Sequence, residues 1–297
     1  MPSLHFCYRC LILVLAVVFC LSNFTANAQD EPSADKIAEW RKAAEQGDPL
    51  AQFNLGVCYF KGVGMPQDYS EAVKWCRKSA EKGDAKAEGM LGLCYHKGQG
   101  VPQNHSEAVK WYRKASDKSD AQAQSNLALC YANGLGVPQN NTEAISLFRK
   151  AAEQGDARAQ FNLGIIYDNG QGVTKDDDEA ARWFRKAAKQ EYADAQFNLG
   201  NCYENGQGVS KDLAEAVKWY QKAADKGNSL AQYSIGLCYA LGKGVTQNNI
   251  TAHMWWTIAA ASGDSDSKIN LNMLSKRMTQ EEISRSLRLI RDWNPKP

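Results

Sequence analysis

The sequence predicts an all-α solenoid built from six 36-residue helix-turn-helix repeats, with modified helices capping both ends. Three observations predict it: a strict period, an apolar helical stripe inside each period, and recurring helix stops and caps. Ala51, Ala87, Ala123, Ala159, Ala195 and Ala231 are each 36 residues apart, and each opens the same phrase, as in Ala51-Gln52-Phe53-Asn54-Leu55-Gly56. A fixed period of about 20–50 residues marks a repeat array, in which one unit cannot bury its apolar face alone.

The first helix of each repeat follows from Ala51, Leu55, Cys58 and Tyr59, which fall on one apolar face. Asp48 is placed to cap its N-terminus and Pro49 fits the first helical turn. Gly56 lets a neighbouring helix approach closely, Gly62 stops the helix and Gly64 turns the chain again. The second helix starts at Asp68-x-x-Glu71, a pattern repeated at Asn104/Glu107, Asn140/Glu143, Asp176/Glu179 and Asp212/Glu215. It reads as a capping box. The helix then carries Ala72, Val73, Trp75, Cys76 and Ala80 and ends at Gly83. Trp75, Trp111, Trp183, Trp219 and Trp255 share one position, with Leu147 as the exception, and predict an aromatic seam between helices.

The ends are altered copies. Residues 29–47 read as a linker and a lone second helix, residues 48–263 as the six repeats, and residues 264–297 as capping helices and a tail. Thr279-x-x-Glu282 caps the last helix, whose Lys and Arg predict a polar cover for the solenoid end. Residues 1–28 read as a signal peptide. Arg9 precedes an apolar run from Cys10 to Leu21, and Ala26-Asn27-Ala28 offers a cleavage site. The run is shorter than the about 20 residues a membrane span needs, so no stable membrane insertion is expected after cleavage. Export to the periplasm or beyond is the corresponding expectation.

Of 35 basic residues, only Arg9 lies in the leader, leaving 34 against 33 acids, a net charge of +1. That balance excludes the basic footprint of a nucleic-acid-binding protein. Cys58, Cys94, Cys130, Cys202 and Cys238 occupy one repeat position. Equivalent atoms of stacked helices lie about 8–10 Å apart or more. A disulfide needs Cα atoms within about 7 Å. The ladder is therefore expected to be unpaired, and Cys58–Cys76 is the one bridge left open. His96, His105 and His253 show no metal-ligand spacing, and no cofactor is implied. The Gly-x-Gly loops lack the extension of a phosphate-binding motif and read as turns.

The phrase Ala-x-x-x-Leu-Gly-x-x-Tyr-x-x-Gly-x-Gly-Val, continued by an Asx cap, Ala72, Trp75 and their equivalents, resembles the Sel-one-like repeat (SLR) family, relatives of the tetratricopeptide repeat. The resemblance covers about residues 36 to 293. It implies a right-handed superhelix whose first helices line a concave groove. It also implies adaptor work: assembling complexes, binding peptides, or engaging host proteins when secreted by bacteria. Cysteine-rich members of the family carry a Cys pair in each repeat, which this chain lacks. Some of those members are associated with penicillin binding and β-lactamase activity, so an enzyme of that kind is the alternative. Ser79-Ala80-Glu81-Lys82 and Ser265-Asp266-Ser267-Lys268 match S-x-x-K, but neither an S-D-N nor a K-T-G partner is present. The expectation is a non-catalytic scaffold for a protein or peptide.

Binding should then sit where first-helix residues vary between repeats. The second, sixth, ninth and tenth residues after the opening Ala are expected to share a face opposite the core stripe. They include Phe53, Phe60 and Lys61, then His96 and Lys97, then Ser125 and Asn133. The later repeats supply Phe161, Asp168 and Asn169, then Phe197, Asn201, Glu204 and Asn205, then Tyr233 and Leu241. The early positions are basic and the later ones acidic, with aromatics and Asn throughout, which suits an extended peptide.

Overall fold

The computed structural model describes residues 32–293, and the expected signal peptide lies outside them. The described residues form fifteen α-helices and no strand. The chain divides into two compact units between Asp156 and Ala157, a repeat boundary. The first unit holds α1 (Ala34–Glu45), α2 (Pro49–Lys61), α3 (Tyr69–Glu81), α4 (Ala85–Lys97), α5 (His105–Asp117), α6 (Ala121–Asn133) and α7 (Asn141–Glu153). The second holds α8 (Ala157–Asn169), α9 (Asp177–Lys189), α10 (Ala193–Asn205), α11 (Leu213–Asp225), α12 (Ser229–Leu241), α13 (Asn249–Ala261), α14 (Ser265–Ser275) and α15 (Gln280–Asp292). Within each unit, the first helix of each of the six repeats packs on its own second helix, and that second helix packs on the next first helix of the unit. Each unit is an α-solenoid.

The helix ends are set by local chemistry. Asp48, Asp84 and Asp120 each accept the backbone N–H three residues on at 2.7 Å. Gly62, Gly98, Gly134, Gly206 and Gly242 end the first helices with φ between 66° and 73°, where a side chain would be strained. The second glycine of each Gly-x-Gly loop has a tighter task. A Cβ on Gly100 would collide with the Tyr69 carbonyl of the preceding repeat, and one on Gly208 with that of Asp177. These glycines let each loop lie on the start of the previous second helix.

The second helices are capped by Asp68, Asn104, Asn140, Asp176, Asp212 and Asn248. The expected capping box is not completed there. Glu71, Glu107, Glu179 and Glu215 pair instead with Lys74, Lys110, Arg182 and Lys218 three residues on. Only Thr279 and Glu282, at the start of α15, form both reciprocal bonds among the described residues.

The seam also differs by one residue from expectation. The position after the Trp ladder, occupied by Cys76, Tyr112, Phe148, Phe184, Tyr220 and Trp256, is buried in every repeat. Trp75 and Trp255 are buried, but Trp111, Trp183 and Trp219 are half-buried. Lys78, Lys114, Lys186 and Lys222 lie 3.9–4.3 Å from the ring centres of Trp75, Trp111, Trp183 and Trp219. A fully buried aromatic removes about 150–250 Å² from water, worth at most about 4–6 kcal/mol at ~25 cal/mol/Å². The principal intra-repeat packing therefore belongs to the position after the Trp ladder, where the rings of Tyr112, Phe184, Tyr220 and Trp256 are set against Gly92, Gly164, Gly200 and Gly236.

A buried polar row links repeats. Gln52, Gln196 and Gln232 donate from Nε2 to the carbonyls of Ala44, Ala188 and Ala224 at 3.0, 3.3 and 3.2 Å. Those carbonyls lie in the last turn of the preceding second helix, where backbone acceptors have no helical partner. Arg77, Arg113 and Arg185 donate to the hydroxyls of Tyr95, Tyr131 and Tyr203 in the next repeat at 2.8, 2.9 and 3.2 Å.

All six cysteines of the described residues are buried free thiols, Cys58 and Cys76 included. Burial pushes Cys94, Cys130, Cys202 and Cys238 up to about 12.

Candidate functional site

The side chains nominated for binding do not form one open face. The second, fifth, sixth and ninth positions after the opening Ala turn toward the second helix of the same repeat. In repeat five, the Phe197 ring centre lies 5.8 Å from that of Tyr220 and Gly200 sits against the same ring. The Tyr220 hydroxyl is 2.7 Å from both Asn201 Oδ1 and Glu204 Oε2. A phenol has one proton, so it donates to one acceptor at a time. Burial and the Glu204 carboxylate beside it raise Tyr220 above its ordinary range.

The same geometry corrects three nominated residues. Phe60 packs edge-on against Tyr69, with ring centres 5.0 Å apart, and His96 lies 4.8 Å from His105. Phe53, Phe60 and His96 are buried. Their positions point at the start or body of the second helix, so they belong to the intra-repeat interface rather than to a solvent face. Ser125 is buried as well. Burial holds His96 down to about 4, helped by His105 and Lys97.

The tenth position does face outward. Lys97, Asn169, Asn205 and Leu241 are exposed, and Lys61 and Asn133 are half-buried. Two of the expected peptide-binding amides are engaged with their own helix. Asn133 Nδ2 donates to the Leu129 carbonyl at 2.9 Å and Asn205 Nδ2 to the Asn201 carbonyl at 3.0 Å. Asp168 lies 3.8 Å from Lys175, and Glu204 lies 3.8 Å from Lys243, so the acidic character expected of the later repeats is partly offset.

The two units differ in what they leave accessible. In the second, Phe161, Ile165, Phe197, Asn201, Glu204, Tyr233 and Leu237 are all half-buried. Phe161 sits 6.0 Å from Phe184 and 5.2 Å from Tyr192. In the first, the equivalent Phe53, Val57, Leu93, Ser125 and Leu129 are buried. The second unit thus presents a rim of ring edges and polar groups along α8, α10 and α12.

Sequence reasoning missed Tyr192 and Lys243 beside this rim and the buried Tyr220 beneath it. Their signal was weak, because each belongs to a second helix or a loop. Ser79, which carried one S-x-x-K match, is fully buried and donates from Oγ to the Pro49 carbonyl at 2.7 Å. Among the described residues no group of three or more His, Cys, Asp or Glu could hold a metal. No described helix is long and apolar enough to cross a membrane.

Comparison with known proteins agrees with this architecture. The Sel1 repeat model matches residues 40–48, 49–84, 85–120, 121–156, 157–192, 193–228 and 229–264. A Sel1 repeat protein from Oxalobacter formigenes is similar at 35% identity, over 75% of this chain and 94% of that one, with a TM-score of 0.67. A protective antigen of uropathogenic Escherichia coli, itself displaying an SLR fold, is 30% identical over 89% of this chain and 72% of that one, with a TM-score of 0.43. No protein of curated function matches the chain. The repeat register, the matched segments and the helix-pair stacking lead to one assignment: the chain belongs to the Sel1 repeat family.

Proposed function

We propose that this protein is an exported, non-catalytic scaffold that binds a peptide or protein partner along the first-helix rim of its second unit. One observation carries the reading: Phe161, Phe197 and Tyr233 recur at one repeat position and are half-buried there. Such a row supplies apolar edges at one-repeat intervals, with Asn201 and Glu204 between them for hydrogen bonding. Rigid aromatic side chains presented this way suit interface hot spots. Export rests on the apolar leader, residues 1–28.

The test combines fractionation with affinity capture. The exported chain should begin at Gln29 when its N-terminus is sequenced. A partner captured on the purified protein should bind Phe161→Ala and Phe197→Ala about tenfold more weakly or worse, as hot-spot truncations do. Normal binding by both variants would remove the rim from the reading. Hydrolysis of a chromogenic β-lactam by pure protein would overturn the non-catalytic assignment.

A further inference from the structure

The last first helix lacks the cover that every other one has. In repeats one to six, a loop of seven residues joins the two helices, as between Lys97 and His105, and the second helix folds back onto the first. Between α14 and α15 only four residues intervene, and the Gly-x-Gly turn is gone. The short connection sends α15 onto α13 instead. His253 Nδ1 and Ser286 Oγ lie 2.9 Å apart, and Trp293 stands edge-on to Trp255 at 5.7 Å.

The consequence appears on α14. Ile269, Asn272, Met273 and Lys276 occupy the register positions of Phe197, Gly200, Asn201 and Glu204, the four that contact Tyr220 in repeat five. All four are exposed, with Ile269 at 58% and Met273 at 53%. On α12, the first helix of the preceding repeat, Leu241 is 60% exposed. α14 therefore presents apolar side chains at the positions where a second helix would lie. Lys268 on α14 and Lys276 and Arg277 directly after it are exposed and make no ion pair among the described residues, and Asp266 is the acid on the same helix.

We propose that α14 is a docking site for an amphipathic helix of a partner protein, which lies against it as a second helix does in the other repeats. The partner's apolar stripe covers Ile269 and Met273, and acidic residues flanking that stripe meet Lys268, Lys276 and Arg277. The inference rests on the scaffold reading and adds to the rim a second contact at the C-terminal end of the second unit. A helix is the occupant because the pairing positions keep the register and the chain's own second helix is diverted; Asn272 stands where the other repeats carry Gly or Ala, so the docked helix sets a small residue, not an aromatic ring, opposite it. The acidic flank follows from the three exposed cations.

The probe is a phage-displayed library of 18-residue peptides, selected on the full protein. Enriched peptides should carry apolar residues at helical spacing and Asp or Glu beside them, and should gain helical circular dichroism on binding. Ile269→Gln combined with Met273→Gln should weaken them about tenfold or more with an unchanged melting temperature, because both side chains are exposed. Lys276→Glu with Arg277→Glu should weaken acidic peptides and spare neutral ones. Enrichment of basic peptides, no enrichment, or equal binding to the Ile269/Met273 variant would each overturn the proposal. So would a concentration-dependent dimer that the same variant dissociates, since the occupant would then be a second copy. If binding is lost through Phe161→Ala and Phe197→Ala but not through the α14 variant, the scaffold reading stands and this inference falls. If neither set affects a captured partner, both fall.

Discussion

Gly200 faces the ring of Tyr220 so closely that a Cβ at residue 200 would lie 2.6 Å from both Cδ1 and Cε1. The ring is completely buried and cannot swing aside. Glycine inside a helix ordinarily costs about 0.5–1 kcal/mol relative to alanine. Here the clash outweighs that gain. Gly200→Ala should destabilise the protein by about 1–3 kcal/mol, the usual range for overpacking. Urea denaturation checks it, and an unchanged or raised midpoint would show that the ring has room. Repeat three carries Ala128 at this position, opposite Phe148, so the reverse change Ala128→Gly should also lower stability, through lost helix propensity and lost packing.

The two adjacent aromatics of the second helix should behave differently. Phe184 is buried against Gly164, whereas Trp183 is half-buried beneath the Lys186 ammonium. Phe184→Ala should cost about 3–5 kcal/mol. Trp183→Ala should cost less, although its side chain is larger. Comparing the two denaturation midpoints tests the assignment, and a larger loss at Trp183 would return the seam to the Trp ladder.

The contrast shows what was readable in the residues alone. The Ala ladder, the paired glycines and the Asx caps fix helix number, helix ends and repeat boundaries, because each follows from local backbone chemistry. Trp183 and Phe184 could not be ranked that way. Both fall within a broad apolar stripe, and the choice depends on where the facing glycine sits. The binding face failed for a related reason. Phe60 and His96 vary between repeats as surface residues do, yet each varies together with a partner on the second helix, Tyr69 and His105. The diverted α15 was legible in principle, since the Gly-x-Gly pair is missing between Ser275 and Gln280.

The buried thiols make stability fall in alkali. Burial raises Cys94, Cys130, Cys202 and Cys238 from an ordinary value near 9.0 to about 12. A raised folded-state value means that the unfolded chain loses the proton first. The stabilisation is complete below pH 9 and is lost as pH rises toward 12. Denaturation midpoints measured between pH 8 and pH 11 should decline, and Cys130→Ala combined with Cys202→Ala should flatten the decline. Ellman's reagent should find no reactive thiol in the native described region at pH 8, and six after unfolding. Rapid native labelling would show that the helix pairs open far more readily than their packing implies.

Acid should act on the first unit through His96. The imidazole is buried beside His105 and near Lys97, and it is held down to about 4 from an ordinary 6.5. A depressed folded-state value for a histidine means that the unfolded chain takes up the proton first. Stability is therefore intact above about pH 6.5 and is lost as pH falls toward 4. Repeat one carries Phe60 and Tyr69 where repeat two carries His96 and His105, and those rings pack edge-to-face. His96→Phe with His105→Tyr should thus preserve the ring contact and remove the proton uptake. Denaturant midpoints of the double variant should change less between pH 7 and pH 4.5 than those of the parent chain. His253, also depressed by burial and hydrogen-bonded to Ser286 where α15 meets α13, supplies a second acid-sensitive contact, so the parent's decline should shrink rather than vanish. An identical decline in parent and double variant would show that the His96–His105 pair plays no part in it.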